Sequence, residues 1–517
     1  MSTNKEAWGS RVGLVLAMAG NAVGLGNFLR FPVQAINNGG GTFIIPYLVC
    51  FLLMGLPLLF VEWSMGRFGG ARGHHSTPFI LDAMDKKRHF WKYLGVFGLF
   101  TNIAVAAYYC YIESWALAYA FDSVMNVFGG MSQEEVAAHF QDYVGLGTTE
   151  PIVFWILCLA LNTWVLSRGL SGGIEMVAKI AMPLLIMFGV LLAIQGLTLE
   201  AGEKGAIHDG VMGLNWLWEP DFSTIWKADV WLAAAGQIFF TLSVGMGTIQ
   251  CYASYLRSRD DIALNAMSAG WMNEFVEVVL GAAVVIPISV GYFGIDKVVE
   301  IVQSGGGFGL AFQTLPFLFH KWGEVLSIVA GFSWFGLLFF AGITSSLAMG
   351  TPFMGFLQDE FGFNRVKAAW TFGLIIFLLG LPTVVFYNQG VFAEYDYWAG
   401  TVSLVVFAVA EIIVFSWVFG MEKGWEEINR GADIKVPVIF KFIIKWITPL
   451  ILLAVFIGSL PGIWDTITFN ADSGYLAEEA NRPYIIFSRL LLIGVYLGLC
   501  YLVWIAYKRR VKEGRET

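Results

Sequence analysis

The sequence predicts an all-α integral membrane protein of twelve transmembrane helices, and three observations carry that reading. Hydrophobic residues make up 57% of the chain and charged residues only 14%, where a soluble domain carries about 25% charged. Apolar runs near the roughly 20 residues that a span needs recur from end to end, leaving no stretch for a large soluble domain. Basic residues also alternate by loop, as they do when a chain threads a bilayer repeatedly.

The expected spans are 12–37, 42–66, 93–123, 151–168, 174–198 and 229–256, then 264–292, 324–357, 365–384, 392–420, 438–461 and 485–507. The first follows Lys5 and Arg11, and Ala17-Met18-Ala19 resembles a signal-peptidase site. The apolar run before that site is very short and the pattern continues to Pro32, so the segment reads as a retained helix. Between spans, 199–227 and 294–322 are long outer connections with enough Trp, Phe and Leu to pack on the protein. The stretch 421–437 is a polar inner loop and 462–484 a polar outer one.

With the N-terminus inside, the inner loops hold Arg67, Arg72, Lys86, Lys87, Arg88, Lys92, Arg168, Arg257, Arg259, Arg365, Lys367, Lys423, Arg430 and Lys435. The C-terminal tail adds Lys508, Arg509, Arg510, Lys512 and Arg515, whereas the outer loops carry only Lys204, Lys227, Lys297, Lys321 and Arg482. Both termini are therefore expected in the cytoplasm. The absence of any Asn-x-Ser/Thr acceptor leans toward a prokaryotic inner membrane.

Two spans carry a defect. Gly20-Asn21-Ala22-Val23-Gly24-Leu25-Gly26-Asn27 and Thr241-Leu242-Ser243-Val244-Gly245-Met246-Gly247-Thr248 place glycines and small polar residues at the expected midplane. Glycine weakens a helix by about 1 kcal/mol, and Asn, Ser and Thr offer the backbone other partners. Close packing of small residues explains the glycines, but it explains Asn21, Asn27, Thr241 and Ser243 poorly. Freed backbone at midplane depth is tolerated where it lines a cavity. The defects lie in the first and sixth spans. Five helices separate them, so 229–420 enters the membrane inverted relative to 12–198, with 438–507 as two added helices. That is the 5+5 inverted repeat of secondary transporters, with the binding site at the repeat interface.

Half-helix N-termini suit a carboxylate, and freed carbonyls at C-terminal half-ends suit a hard cation. Ala341, Thr344 and Ser345 share one helical face and assemble neutral oxygens apt for a monovalent ion, though back-bonding within the helix explains the hydroxyls as well. Asn273 and Glu277 share a face at i, i+4, and an intramembrane carboxylate is a functional hypothesis by default. Glu62, Glu113, Glu274 and Glu411 compete with Glu277, some of them as structural pairs. Arg30 and Asp396 lie near the outer surface, either as two unrelated charges or as an ion pair over a midplane site.

The run from Trp8 to Gln34 strongly resembles the neurotransmitter:sodium symporter family. So do Tyr108-Tyr109 with Ile112-Glu113-Ser114-Trp115, Gly236 to Ser243, Ala341 to Ser346, and Trp425 to Gly431. The resemblance covers essentially the whole chain and implies a LeuT-type fold with unwound helices 1 and 6. It implies a substrate site of Asn21, Ala22, Leu25, Gly26, Tyr109, Phe240, Thr241 and Ser243, with a side-chain pocket of Val105, Phe240, Met246, Ser345 and Met349. It implies two Na+ ions. Ala22, Asn27, Thr241, Asn273 and the substrate carboxylate would hold one; Gly20, Val23, Ala341, Thr344 and Ser345 would hold the other. The gates would be Arg30 with Asp396 outside, and Lys5 with Asp359 beside Ser254 and Tyr255 inside; Lys5 stands where an arginine is expected, and lysine lacks the bidentate fork.

Two methionines in the pocket stand where the resemblance leads one to expect phenylalanine and isoleucine, which suggests a broad apolar range including Met or aromatic substrates. Gly24 occupies the position where amine-transporting relatives place an acid, so the substrate should bring its own carboxylate. Glu277 supplies a fixed carboxylate beside Tyr47, Gln237, Thr241 and Asn273, which match the chloride site of animal relatives, so chloride-independent transport is expected.

The reading is thus a sodium-coupled importer of hydrophobic neutral L-amino acids in the cell membrane. The alternatives are an amino-acid-binding membrane sensor that does not transport, or a sodium symporter of another small zwitterion. An enzyme is disfavoured, because no nucleophile–base pair or metal cluster falls at midplane depth. The five cysteines lie in or beside apolar segments, with no disulfide framework expected. No nucleic-acid partner is expected. The sequence leaves open the preferred amino acid, the stoichiometry, proton counter-transport and whether the chain forms a homodimer.

Overall fold

A computed structural model describes residues 6–85, 87–220, 222, 225–471 and 474–515. Among these residues every regular element is a helix. Ten helices are long and apolar enough to cross a membrane, and the pair Arg11–Ala22 and Gly26–Asn37, bent by 47°, makes an eleventh if taken as one span. The segment expected as the sixth span is two shorter helices, Ala228–Leu242 and Thr248–Ala253. Against the twelve spans expected, the described helices thus give ten or eleven that are long and apolar enough to cross. The protein is a multi-pass membrane protein.

Local chemistry sets the helix ends. Ser10 caps the first helix by accepting from the Gly13 N–H at 3.0 Å, and Asp261 and Asn364 cap theirs in the same way from Leu264 and Lys367. Gly362, at φ +68°, ends the helix Glu324–Phe361 in the left-handed conformation that glycine adopts freely. The outer connection expected at 294–322 is largely helical. Ile262–His320 keeps its hydrogen-bonded pattern but turns at Gly294 and Gly306, where φ is +72° and +59°. The inner loop expected at 421–437 begins as a helix, Met421–Asn429, after a turn at Gly420.

Trp91–Val124 lies at the centre, with 94% of its apolar window buried, and it packs along Glu324–Phe361. Ile439–Thr468 and Glu479–Glu513 are only 22% buried by the same measure, which places them at the rim with apolar faces toward lipid. The two broken segments are buried against this centre, so their loose backbone meets protein and cavity rather than lipid.

Candidate functional site

The first break begins where Val23 N–H donates the last helical bond to the Ala19 carbonyl, at 2.6 Å. Beyond it, the carbonyls of Gly20 and Asn21 turn to side chains: Ser345 Oγ reaches both at 3.3 Å, and Ser243 Oγ donates to Asn21 at 3.0 Å. The Gly24 N–H donates to Asn27 Oδ1 at 2.9 Å, and the Leu25 N–H to the Tyr109 hydroxyl at 3.0 Å. Gly26 then opens the second half-helix with its N–H toward the break.

In the sixth segment Ser243, Gly245 and Gly247 all take positive φ, of +53°, +74° and +83°. Ser243 adopts this strained conformation with its hydroxyl held by Asn21, so the two breaks are tied together directly. The Gly245 N–H, freed by the break, donates to Glu62 Oε1 at 2.7 Å, and Glu411 accepts from Gln250 beside it. Asn102 donates to the Met246 carbonyl at 2.5 Å and to its own helix at Gly98. These buried polar groups answer the backbone that the break exposes.

Between the breaks lies a cavity of about 390 Å³ of empty volume. Of the residues expected to bind substrate, Ala22, Gly26, Val105, Tyr109, Phe240, Thr241, Ser243, Met246, Ser345 and Met349 line it; Leu25 lines the neighbouring vestibule, and Asn21 stands behind the wall through its carbonyl. Gly24, Asn27, Gly400 and Leu404 complete the lining. Gly400 and Leu404 are additions that sequence reasoning missed. No charged side chain lines the cavity among the described residues.

The two expected ion sites flank it. In the first, Asn27 Nδ2 donates to Asn273 Oδ1 at 2.9 Å, Asn273 Nδ2 donates to Thr241 Oγ1 at 3.0 Å, and Thr241 Oγ1 contacts Glu277. Glu277 also accepts from Gln237 at 2.6 Å and Asn27 at 3.1 Å, so its carboxylate sits among four neutral side chains. In the second, the Thr344 hydroxyl lies 2.9 Å from the Phe340 carbonyl and 3.2 Å from that of Ala341. A Cβ at Gly20 would come to 3.0 Å from Thr344 Cβ, so a larger residue there would need Thr344 to give by a few tenths of an ångström. Both donor sets are neutral oxygens, chemistry suited to a hard cation, and two carboxylates border the first: Glu277, and Glu274, which accepts from Asn273 Nδ2 at 3.5 Å. Glu113 serves elsewhere, accepting from Asn162 at 3.0 Å in a network that continues to Ser346.

On one side a vestibule of about 700 Å³ holds both Arg30 and Asp396 and meets the cavity at Gly26, Tyr109 and Phe240. The Arg30 guanidinium lies over the Phe240 ring at 4.6 Å, while Asp396 accepts from Tyr108 at 2.6 Å; among the described residues no ion pair joins the two. The other side is closed. Trp8 donates to the Tyr252 carbonyl at 3.1 Å, Glu6 pairs with Arg365 at 2.7 Å, and Glu175 accepts from the Gly9 N–H and Ser10 hydroxyl, each at 2.7 Å. Asp359, Ser254 and Tyr255 stand at this end around His75. Lys5, their expected partner, lies outside the described residues. The pair Glu6–Arg365 and the anchor at Glu175 escaped sequence reasoning, since each joins positions far apart in the chain.

An uncharged cavity between two broken helices, open toward one face and shut at the other, defines a membrane transport protein. The family model for the sodium:neurotransmitter symporter family matches residues 5–135 and 145–505, and the chain belongs to that family. It is 30% identical to an uncharacterised sodium-dependent transporter of Methanocaldococcus jannaschii, over 94% of this chain and 95% of that one. It is 25% identical to the sodium-dependent nutrient amino acid transporter 1 of Drosophila pseudoobscura pseudoobscura, over 99% of this chain and 82% of the relative. Among solved structures, the crystal structure of MhsT in complex with L-phenylalanine superposes with a TM-score of 0.77 at 28% identity, covering 88% of this chain and all of MhsT. The LeuT-type fold, sodium dependence and a small-molecule substrate follow from this membership.

Proposed function

We propose that this chain is a sodium-coupled symporter that imports hydrophobic neutral L-amino acids, leucine-like, methionine or aromatic, by alternating access and without chloride. The observation that carries the reading is the cavity wall, which is polar at its backbone end, apolar at the other and uncharged throughout. The substrate carboxylate would meet the Gly26 half-helix N-terminus, the Tyr109 hydroxyl and a sodium ion. The ammonium group would meet carbonyls at Ala22, Phe240, Thr241 and Ser243. The side chain would rest on Val105, Met246, Met349 and Leu404, two of them methionines that adapt to shape.

One Na+ would sit among Ala22, Asn27, Thr241, Asn273 and the substrate carboxylate, and a second among Gly20, Val23, Ala341, Thr344 and Ser345. The carboxylate shared between substrate and ion couples their binding. Arg30 and Asp396 would close over Phe240 from outside, and the N-terminal segment would release the inner side, with both termini cytoplasmic in the cell membrane. The 12–198 and 229–420 repeats would rock against each other within one domain. Glu277 would supply, in place of a chloride ion, the negative charge beside the first sodium.

The test is uptake of radiolabelled L-leucine into proteoliposomes under an inward sodium gradient, against an equal potassium gradient. Uptake with sodium alone, competed by L-methionine or L-phenylalanine and unchanged when gluconate replaces chloride, is expected. Sodium-dependent binding without uptake would favour a sensor, and a chloride requirement would remove the role given to Glu277.

A further inference from the structure

Three side chains expected at the inner gate, Ser254, Tyr255 and Asp359, converge on His75, a residue with no part in the substrate or ion sites. Its imidazole stacks on the Tyr255 ring with centroids 4.3 Å apart and planes 8° from parallel. Its Nδ1 lies 2.8 Å from Ser254 Oγ. Its backbone N–H donates to Asp359 Oδ2, also at 2.8 Å. Ser254 Oγ commits its own hydrogen to the Cys251 carbonyl at 2.6 Å, which leaves the oxygen as acceptor and assigns the proton to His75 Nδ1.

Resting on the gate reading above, we propose that His75 is a positioning residue of the inner gate, clamping the lower half of the broken sixth helix against Glu324–Phe361. The contacts divide the work between ring and backbone. The ring holds Ser254 and Tyr255, which follow directly on the short half-helix Thr248–Ala253. The backbone fixes the loop to the long helix, both through Asp359 and through close packing, since a Cβ at Gly355 would come within 2.7 Å of the His75 carbonyl. Trp8 seals the same half-helix from the N-terminal side through Tyr252. Inward opening must separate these elements, so the stack and the hydrogen bond are broken in every transport cycle. Their strength sets how long the inner face stays shut.

Hydrogen–deuterium exchange of the full-length protein in lipid nanodiscs tests this, following the segments 6–16 and 248–256 in sodium and in potassium. His75→Gly removes ring and bond, and exchange of both segments in potassium should rise about tenfold, from the loss of one hydrogen bond and one ring stack. His75→Phe keeps the stack and should recover part of the protection; His75→Gln keeps a donor near Ser254 and should recover another part. Segment 93–123 reports the bundle core and should stay unchanged, which separates gate opening from unfolding. Asp359→Asn serves as the gate control. If Asp359→Asn exposes the two segments and the His75 variants do not, the role of His75 is wrong while the gate stands. If neither exposes them, the inner-gate reading itself fails.

Discussion

Gly26 shows how much one side chain decides at this site. A Cβ there would lie 2.5 Å from the Phe240 ring, the partition between cavity and vestibule, so Gly26→Ala must push that ring away. Overpacking of this kind costs about 1–3 kcal/mol. Sodium-dependent binding of L-leucine should therefore weaken by about tenfold, read by scintillation proximity. An unchanged affinity would show that Phe240 does not seal the substrate. His74, next to the gate histidine, acts on stability instead. Burial first, then the charges of Arg510, His75, Arg72 and Arg515, push its pKa down to about 3. The unfolded chain protonates near the ordinary value of about 6.5, so it binds a proton that the folded protein refuses, and stability falls as pH drops from 6.5 toward 3. At pH 5 the loss is about 2 kcal/mol. His74→Phe, placed against Phe79, should show a flatter fall of the unfolding temperature between pH 7 and pH 5 than the wild type.

At the scale of elements, two broken helices make the site, and their approach to the long helix Glu324–Phe361 depends on Gly20. Gly20→Ala would force Thr344 back by a few tenths of an ångström and spread the oxygens of the proposed second ion site. The sodium concentration for half-maximal L-leucine binding should rise severalfold, with the affinity at saturating sodium little changed. The breaks were legible because glycine with Asn, Ser or Thr at midplane depth is physically anomalous, whereas the ten expected residues that line the cavity came from the family resemblance, Val105, Tyr109, Ser345 and Met349 among them lying far from either break in the chain. Gly400 and Leu404 carried no such signal, since a glycine and a leucine in an apolar span look like any other packing residues. Glu62 was visible as a costly carboxylate, but its task of accepting from Gly245 depends on a fold that brings together residues 183 positions apart. The contacts around the proposed inner gate were legible only in part. His75, Glu175 and Arg365 act across such distances, and a loop histidine has no periodicity to betray it.

For the whole molecule, the uncharged cavity bears on how far transport can run uphill. A zwitterion adds no net charge to the carrier, so the proposed pair of Na+ ions would carry two charges inward per cycle. At about 100 mV that supplies roughly 4.6 kcal/mol, and a tenfold sodium gradient adds about 2.8 kcal/mol more. Together they support accumulation of around 10⁵-fold at the limit. Potassium diffusion potentials set with valinomycin in proteoliposomes make the charge count measurable. With two net charges, the limiting accumulation of L-leucine should rise tenfold for about every 30 mV of inside-negative potential. A tenfold rise per roughly 59 mV would mean one net charge, and then either one sodium ion moves or a proton returns in exchange. The sodium dependence separates those two cases. Accumulation that grows about a hundredfold for each tenfold sodium gradient retains two ions and points to a returning proton, whereas tenfold growth leaves one ion site without a transported occupant.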